Sequence, residues 1–398
     1  MISVEEAFEK VLSTAHEAGR EEVKLENSIG RVLAEDIFAD RPFPPFDRVT
    51  MDGIAILFNS DYGDKIFEIE AIGPAGSPQL TLNDDAKCIE IMTGASLPKN
   101  CDTVVRYEDL EKQEGGYRIT KEVIRGQNVH TRGSDHDENT VLLKAGTEVK
   151  AIDINVLATV GKSRVLVKKV PRVAVISSGD ELVEIEEKPK DYQIRKSNVH
   201  MIAARLRQLG VDTAIFHFKD NADSIFDELS EIMNDFDVLV MSGGVSKGKF
   251  DFIPDVLAKL GFEKLFHRVA QRPGKPFWFG KKDKKSVFAF PGNPVSTLAC
   301  FHRYFVPWLK KSLGQPSNSM KIILAEDVMF KPNLTYFAQA SVQQGSDGIF
   351  YASVSHGNGS GDIVNPSMMS GFLELPAGKE VYKAGEMHDF MPFYPIFK

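Results

Sequence analysis

The chain has 398 residues, 42% of them hydrophobic and 26% charged, with a formal net charge of −8. That length predicts two to four domains of about 100–200 residues each, and the composition excludes a disordered or fibrous chain. The acidic balance argues against a nucleic-acid surface, and no run approaches the roughly 18 apolar residues of a membrane span. Cys88, Cys101 and Cys300 have no metal-ligand spacing, and the acidic N-terminus lacks the basic-then-apolar order of a signal peptide. A cytoplasmic protein with reduced thiols is expected.

The first element is a helix. Ser3 and Glu6 have capping-box spacing, Ala7, Phe8, Val11 and Leu12 form an apolar stripe, and Gly19 stops it. From 41, "RPFPPFDRVTMDGIAI" forbids a helix and marks a boundary. "IFEIEAI", "CIEIMTG", "DTVVRYEDL" and "YRITKEV" then predict a small β-rich domain over 41–131. The segment 141–170 contains one helix-period stretch, Ile152 to Val160, expected to cover the stripe of the first helix, so that 1–40 with 132–170 form an N-terminal helical domain and the β domain is an insertion. Over 171–314, apolar strands alternate with amphipathic helices ("RVAVISSG", "SNVHMIAARLRQLG", "DTAIFHF", "ADSIFDELSEIMND", "DVLVMSGG", "DFIPDVLAKLG", "SVFAFPGNP" and a helix over 295–313), which predicts a doubly wound parallel α/β domain covered on both faces. Residues 315–398 lose the helical pattern; "YFAQASVQQGSDGIFYASVS" is a hairpin and "GFLELPAG" another strand, giving a C-terminal β barrel or sandwich.

In such sheets ligands sit outside the carboxyl ends of the strands, and here the loops after the strands are rich in glycine and acids. "SSGDEL" offers Ser178, Asp180 and Glu181, "KDN" offers Asp220, "SGGVSKGKFD" offers Gly243, Gly244, Ser246 and Asp251, and "FPGNP" offers Pro291, Gly292 and Pro294. The third of these loops also reads G-x-x-x-x-G-K, but Phe250 stands where a nucleotide-binding phosphate loop carries a hydroxyl, which argues against a nucleoside triphosphatase. Acids beside an anion cradle are explained by a bridging magnesium ion held between carboxylates and substrate phosphates. An exposed loop end or a helix N-cap is the alternative for any single acid, and Asp251 ahead of "FIPDVL" suits a cap. "QRPGKPFWFG" sets Arg272 and Lys275 around a Pro-Gly turn, two cations at short spacing for an oxyanion. His130 and His136 lie among Asp135, Asp137 and Glu138 without a second ligand pair, and a solvated loop is expected there. "VTMDGIAI" and "IMTGASLP" place Asp52 and Thr93 beside glycines on turns, each unspecific alone.

Together, "PPFDRVTMDGIAI", "IMTGASLP", "VAVISSGDEL", "SGGVSKGKFD", "RPGKP" and "FPGNP", in that order, resemble the molybdopterin molybdenumtransferase family, related to the gephyrin C-terminal domain, over essentially the whole chain. "SGGVS…D" with "PGNP" is also similar to the smaller molybdopterin adenylyltransferases, which lack the N-terminal and β-domain motifs. The resemblance implies a role in molybdenum cofactor biosynthesis: molybdate is inserted into adenylylated molybdopterin, the phosphoanhydride is hydrolysed and AMP leaves. It implies a homodimer with an elongated N-terminal helical region and no nucleic-acid or membrane partner. The functional positions it carries over are Asp52, Thr93, Glu181, Asp220, Asp251 and Lys275 as catalytic residues, with Glu181, Asp220 and Asp251 holding Mg2+. Ser178, Gly243, Gly244, Ser246, Arg272, Pro291, Gly292, Pro294 and Ser360 are expected to bind substrate, and Asp52 and Thr93 to reach the cleft of the partner subunit. The chain departs from the family pattern at His130, Lys196, Arg272 and Gln339, where Arg, Asp, Lys and Arg are common, and Ser360 is expected to carry more of the oxyanion site. A non-catalytic gephyrin-like dimeric scaffold is the other reading; Asp52, Glu181, Asp251 and Lys275 argue against it.

Overall fold

The computed structural model describes residues 1–60, 62–245, 251–316 and 319–394. Two compact units divide it: Met1–Ala34, Gly146–Lys150 and Arg164–Lys398 form the larger, and Glu35–Ala145 with Ala151–Ser163 the smaller.

The larger unit is built on a six-stranded sheet in the order Thr213–Phe218, Val173–Ser178, Val238–Ser242, Lys285–Phe290, Trp278–Lys282, Glu263–His267. The first four strands are parallel, whereas the last two run antiparallel to their neighbours, which corrects the expectation of a wholly parallel sheet. The reason is local. Trp278–Lys282 and Lys285–Phe290 are joined by two residues, with Asp283 at φ +52°, and only antiparallel strands can be linked so tightly.

Side chains of the central strands alternate between two cores. Val173, Val175, Val238 and Val240 pack with helices Asn198–Gln208 and Val306–Ser312, and Ala174, Ile176, Leu239 and Met241 pack with helices Ala222–Asp235 and Ile253–Lys259. Burial on both faces is why these strands read as continuous apolar runs. The helix Val4–Leu12 is capped by Ser3, whose hydroxyl accepts the Glu6 amide at 3.0 Å. Its stripe, Val4, Ala7 and Val11, is buried in the same core as Phe301, Phe305 and Trp308. The stripe's partner is therefore the helical run after Asn293; the segment 152–160, expected to cover it, forms the helix Ala151–Thr159 of the smaller unit. That run is not one regular helix: Pro294–Cys300 and Val306–Ser312 flank a π turn, Phe301–Phe305, just ahead of Pro307, which has no N–H for the i→i−4 ladder.

A closed five-stranded barrel ends the chain. Thr335–Gln344, Phe350–Ser355, Met320–Leu324, Met387–Pro392 and Gly371–Leu375 pair in that order, and the last returns to the first. Closure leaves no edge among these five strands, and Ala338, Ala340, Ala352, Leu373 and Phe390 fill the interior. The short strand Gln271–Arg272 adds in parallel to Thr335–Gln344, which fastens the "RPGKP" turn to the barrel.

The smaller unit holds a second six-stranded sheet, ordered Thr103–Arg106, Gly53–Ile56, Cys88–Ile91, Ile66–Gly73, Gly116–Ile119, Leu110–Gln113, with apolar clusters around Ile89 and around Phe67. Among the described residues no helix is long and apolar enough to cross a membrane.

Candidate functional site

The strand order of the α/β sheet creates a switch point between Val173–Ser178 and Val238–Ser242, because the chain moves outward from there in both directions. A cavity of about 880 Å³ opens at their carboxyl ends. Ser178, Glu181, Asp220, Gly243, Gly244, Asp251, Pro291, Gly292 and Pro294 all line it, so the structure brings together nine of the residues singled out in the sequence. The Ser178 hydroxyl donates to Asp220 Oδ1 at 3.3 Å, and the Asp220 amide donates to Asp180 Oδ1 at 3.2 Å, tying the first two loops. The helix after Asp251 has Phe252 at its N-cap position, so Asp251 stands one residue ahead of the cap it was expected to form. Ser246 lies outside the described residues.

Gly243 shows why this loop needs glycine. Its φ is +100°, and a Cβ there would sit 2.8 Å from the Ser178 carbonyl oxygen. Asn198, the first residue of its helix, ties a strand end, a loop and a second helix: its Nδ2 reaches Ser242 Oγ at 2.9 Å, Gly292 O at 2.7 Å and Thr297 Oγ1 at 3.3 Å. Lys196, 6% exposed, also lines the cavity and is ion-paired with Glu184. The lysine holds the Glu184 carboxyl below the usual carboxylate range, while burial, reinforced by the lysine charge, lowers the neighbouring His217 imidazole.

A second cavity, about 640 Å³, lies against the barrel and contains Arg272, Lys275 and Ser360. Pro276, Pro291 and Asn293 line both cavities, so the two are contiguous. Asn293 Nδ2 donates to Ser360 Oγ at 3.0 Å, and the Val295 backbone amide to Ser360 O at 3.1 Å, which fixes the barrel loop over the start of the helix. Phe330 and Tyr336, stacked at 4.3 Å with planes 7° apart, form an apolar wall. Gln339 is buried, with its Oε1 accepting from Asn365 Nδ2 at 3.0 Å, so a neutral hydrogen-bonded amide stands in the wall where the family pattern commonly has Arg.

Asp52 and Thr93 belong to the smaller unit and are bonded to each other. Asp52 Oδ1 accepts the Thr93 amide at 2.6 Å and its hydroxyl at 2.7 Å, and the hydroxyl, then the amide, hold the carboxyl below its ordinary range. His130 lies on the short strand Val129–His130 and not on a loop, and stays partly exposed between Arg48 at 3.1 Å from Nδ1 and Asp135 at 2.8 Å from Nε2. Because the guanidinium can only donate, Nδ1 accepts and Nε2 carries the proton given to Asp135. Among the described residues, no three His, Cys, Asp or Glu side chains converge where they alone could hold a metal ion.

Residues 2–161 match the family described as "MoeA N-terminal region (domain I and II)", and residues 174–311 the family described as "Probable molybdopterin binding domain". A molybdopterin molybdenumtransferase from Synechocystis sp. is 37% identical over 400 residues, which covers 99% of this chain and all of that relative. The chain belongs to the molybdopterin molybdenumtransferase family. It is a transferase of molybdenum cofactor biosynthesis. A Staphylococcus aureus member is 33% identical over 98% of this chain and 95% of its own length. The crystal structure of a molybdopterin biosynthesis MoeA protein from Pyrococcus horikosii superimposes with a TM-score of 0.84 at 30% identity, covering 99% of both chains.

Two polar residues of this family member escaped the sequence reading. Asn198 carried a signal, since Ser197-Asn198 opens a helix directly after a strand-loop segment. Gln271 carried a weaker one, a lone amide before Arg272 in the turn that bears two cations.

Proposed function

We propose that the chain inserts molybdate into adenylylated molybdopterin. In this reaction the two dithiolene sulfurs replace oxo ligands of molybdate, which leave as water with the dithiol protons; a water adds its oxygen to phosphorus, the bridging P–O bond breaks and AMP leaves. The observation that carries this reading is the contiguity of the two cavities through Pro276, Pro291 and Asn293. One elongated substrate can lie with its phosphates at the carboxylate end while an oxyanion is held by Arg272 and Lys275 at the other.

Each group then has a task. Gly243 and Gly244 keep the phosphate loop free of side chains, and Asn198 fixes that loop against Gly292. Arg272 and Lys275 neutralise the oxyanion, with Ser360 and Asn293 adding neutral hydrogen-bonding groups. A magnesium ion, when bound, supplies charge neutralisation at the phosphoanhydride. Glu181, Asp220 and Asp251 line the cavity without converging on one point, so they would hold the ion only together with substrate phosphates and water, and their oxygen donors suit a hard cation. The active form in this proposal is a homodimer in the cytoplasm, with Asp52 and Thr93 supplied across the interface.

The test supplies purified protein with adenylylated molybdopterin, magnesium and molybdate and follows AMP release. Molybdate-stimulated release is expected, and its absence would sink the reading. Asp251→Ala should abolish release while leaving the protein folded; near-wild-type turnover would remove Asp251 from the metal site. Mixing inactive Asp52→Ala and Asp251→Ala chains should restore activity in heterodimers, and no recovery would place both residues in a single subunit's cleft.

A further inference from the structure

The two cations of the oxyanion turn stand on a base that the reading above does not use. Gln271 is fully buried, as are Tyr304 and Cys300 in the helical run beneath it. The Tyr304 hydroxyl donates to Gln271 Oε1, and Gln271 Nε2 donates to the Gly274 carbonyl at 3.1 Å and lies 3.3 Å from Cys300 Sγ. The orientation of the amide is dictated by its partners: rotated by half a turn, it would set its oxygen against the Gly274 carbonyl oxygen. Gly274, at φ +91°, packs so close that a Cβ there would meet both Cys300 Sγ and Gln271 Nε2 at 2.6 Å. From the other side, the Val269 amide donates to the Lys275 carbonyl at 3.0 Å, and the Thr335 amide donates to Ala270 O at 3.0 Å. The backbone from 269 to 275 is thus gripped at Ala270, at Gly274 and at Lys275, while the Arg272 and Lys275 side chains remain exposed in the cavity.

We propose that Gln271, held between Tyr304 and Gly274, is a positioning residue for oxyanion binding: it sets the spacing of Arg272 and Lys275 and thereby the affinity for molybdate. This inference rests on the proposed function. The chemistry follows from burial. A Gln amide inside an apolar layer is stable only with both ends bonded, so its geometry is fixed by Tyr304 rather than by solvent. Burial also keeps the Tyr304 hydroxyl protonated, since it raises that group well above its ordinary value. If the hydroxyl is removed, Oε1 loses its donor, the amide is no longer held from that side, and the Gly274 carbonyl is left with a weakened amide bond and the long contact from Cys300 Sγ at 3.7 Å. Exposed cations on a turn loosened at Gly274 must then be ordered in part by the anion itself, which lowers affinity.

Tyr304→Phe keeps the ring and its packing, and Gln271→Met removes the amide at nearly constant volume. Two measurements distinguish this inference from the reading beneath it. Calorimetric titration of the intact protein with molybdate, without the pterin, is expected to show binding in the wild type that weakens about tenfold in either variant. Steady-state AMP release is expected to show the same rise in half-saturating molybdate with the half-saturating concentration of adenylylated molybdopterin unchanged. A wild type that binds no oxyanion would overturn the assignment of the turn. Wild-type binding with equal affinity in Tyr304→Phe would overturn only the role of Gln271. Equal losses in both half-saturating concentrations would indicate general loosening and refute a positioning role, and the thermal midpoint of Tyr304→Phe keeps that outcome visible even if Gln271→Met fails to fold.

Discussion

Asn198→Ala separates positioning of the phosphate end from contact with the substrate. The Asn198 amide nitrogen has two hydrogens and three acceptors in reach, Gly292 O at 2.7 Å, Ser242 Oγ at 2.9 Å and Thr297 Oγ1 at 3.3 Å, so at most two strong bonds form at once. Each such bond contributes about 0.5–1.5 kcal/mol net. Ser242 and Thr297 keep their own contact at 3.3 Å, and Gly292 is exposed, so water can replace its donor. Two such bonds give about 1–3 kcal/mol, and the loss of stability falls in the lower part of that range, about 1–2 kcal/mol. The loss should reach function as well as stability, because the Gly292 loop and the Gly243 loop border the same cavity and Asn198 ties Ser242, next to Gly243, to Gly292. A tenfold rise in the half-saturating adenylylated molybdopterin concentration corresponds to about 1.4 kcal/mol and is the expected outcome. Denaturant titration gives the first quantity, and AMP release at varied substrate gives the second. A variant that loses stability but binds substrate as well as wild type would refute the view that this amide holds the cavity in shape.

Three further outcomes are expected. Gly243→Ala forces an L side chain to φ +100° with its Cβ 2.8 Å from the Ser178 carbonyl, and should cost at least about 2 kcal/mol in denaturant unfolding; an unchanged midpoint would show that the loop relaxes freely. Thr93→Val removes the hydroxyl that contributes most to the lowered Asp52 pKa, so carboxyl titration by NMR should show Asp52 protonating at higher pH, and the stability that its depressed pKa provides should be lost earlier on acidification. His302 is buried, and burial followed by the Arg205 charge lowers its pKa from 6.5 to about 3, so below pH 6.5 the unfolded chain binds a proton that the folded chain refuses. Stability should therefore fall by about 2 kcal/mol between pH 6.5 and 5 on this account, and His302→Leu should flatten that slope; a slope equal to wild type would mean that His302 is protonated in the fold.

The α/β core was legible because burial on both faces writes itself into each strand separately. "VAVI" and "VLVM" need no knowledge of their partners to be read as buried strands. The hairpin Trp278–Lys282 and Lys285–Phe290 was harder. The polar run "KKDKK" joins two apolar segments, and nothing in either segment states whether the chain returns or crosses over. Only the two-residue connection decides it. The prolines at 42, 44 and 45 signal irregular backbone correctly, yet strand Ile37–Phe38, ahead of them, pairs with Val141–Leu143, so compact structure in the smaller unit begins before the proline run. A composition break marks a change in local backbone, and it coincides with a structural boundary only when no pairing spans it.

The candidate site divides along the same line. Glu181, Asp220, Gly243 and Asp251 could be found because parallel topology places every loop after a strand at one edge, so sequence position alone brings them together. Asn198 and Gln271 could not be found this way, since their roles depend on partners distant in the chain: Gly292 is 94 residues from Asn198, and Tyr304 is 33 residues from Gln271. The physical distinction is between groups that meet the ligand and groups that meet other loops. A ligand-facing carboxylate of such a sheet lies in a loop that follows an apolar strand, and that placement is local and visible. A loop-tying amide needs only an acceptor at the right distance, which any backbone carbonyl can supply, so it imposes no pattern on its own neighbours and becomes visible only when the two loops are seen side by side.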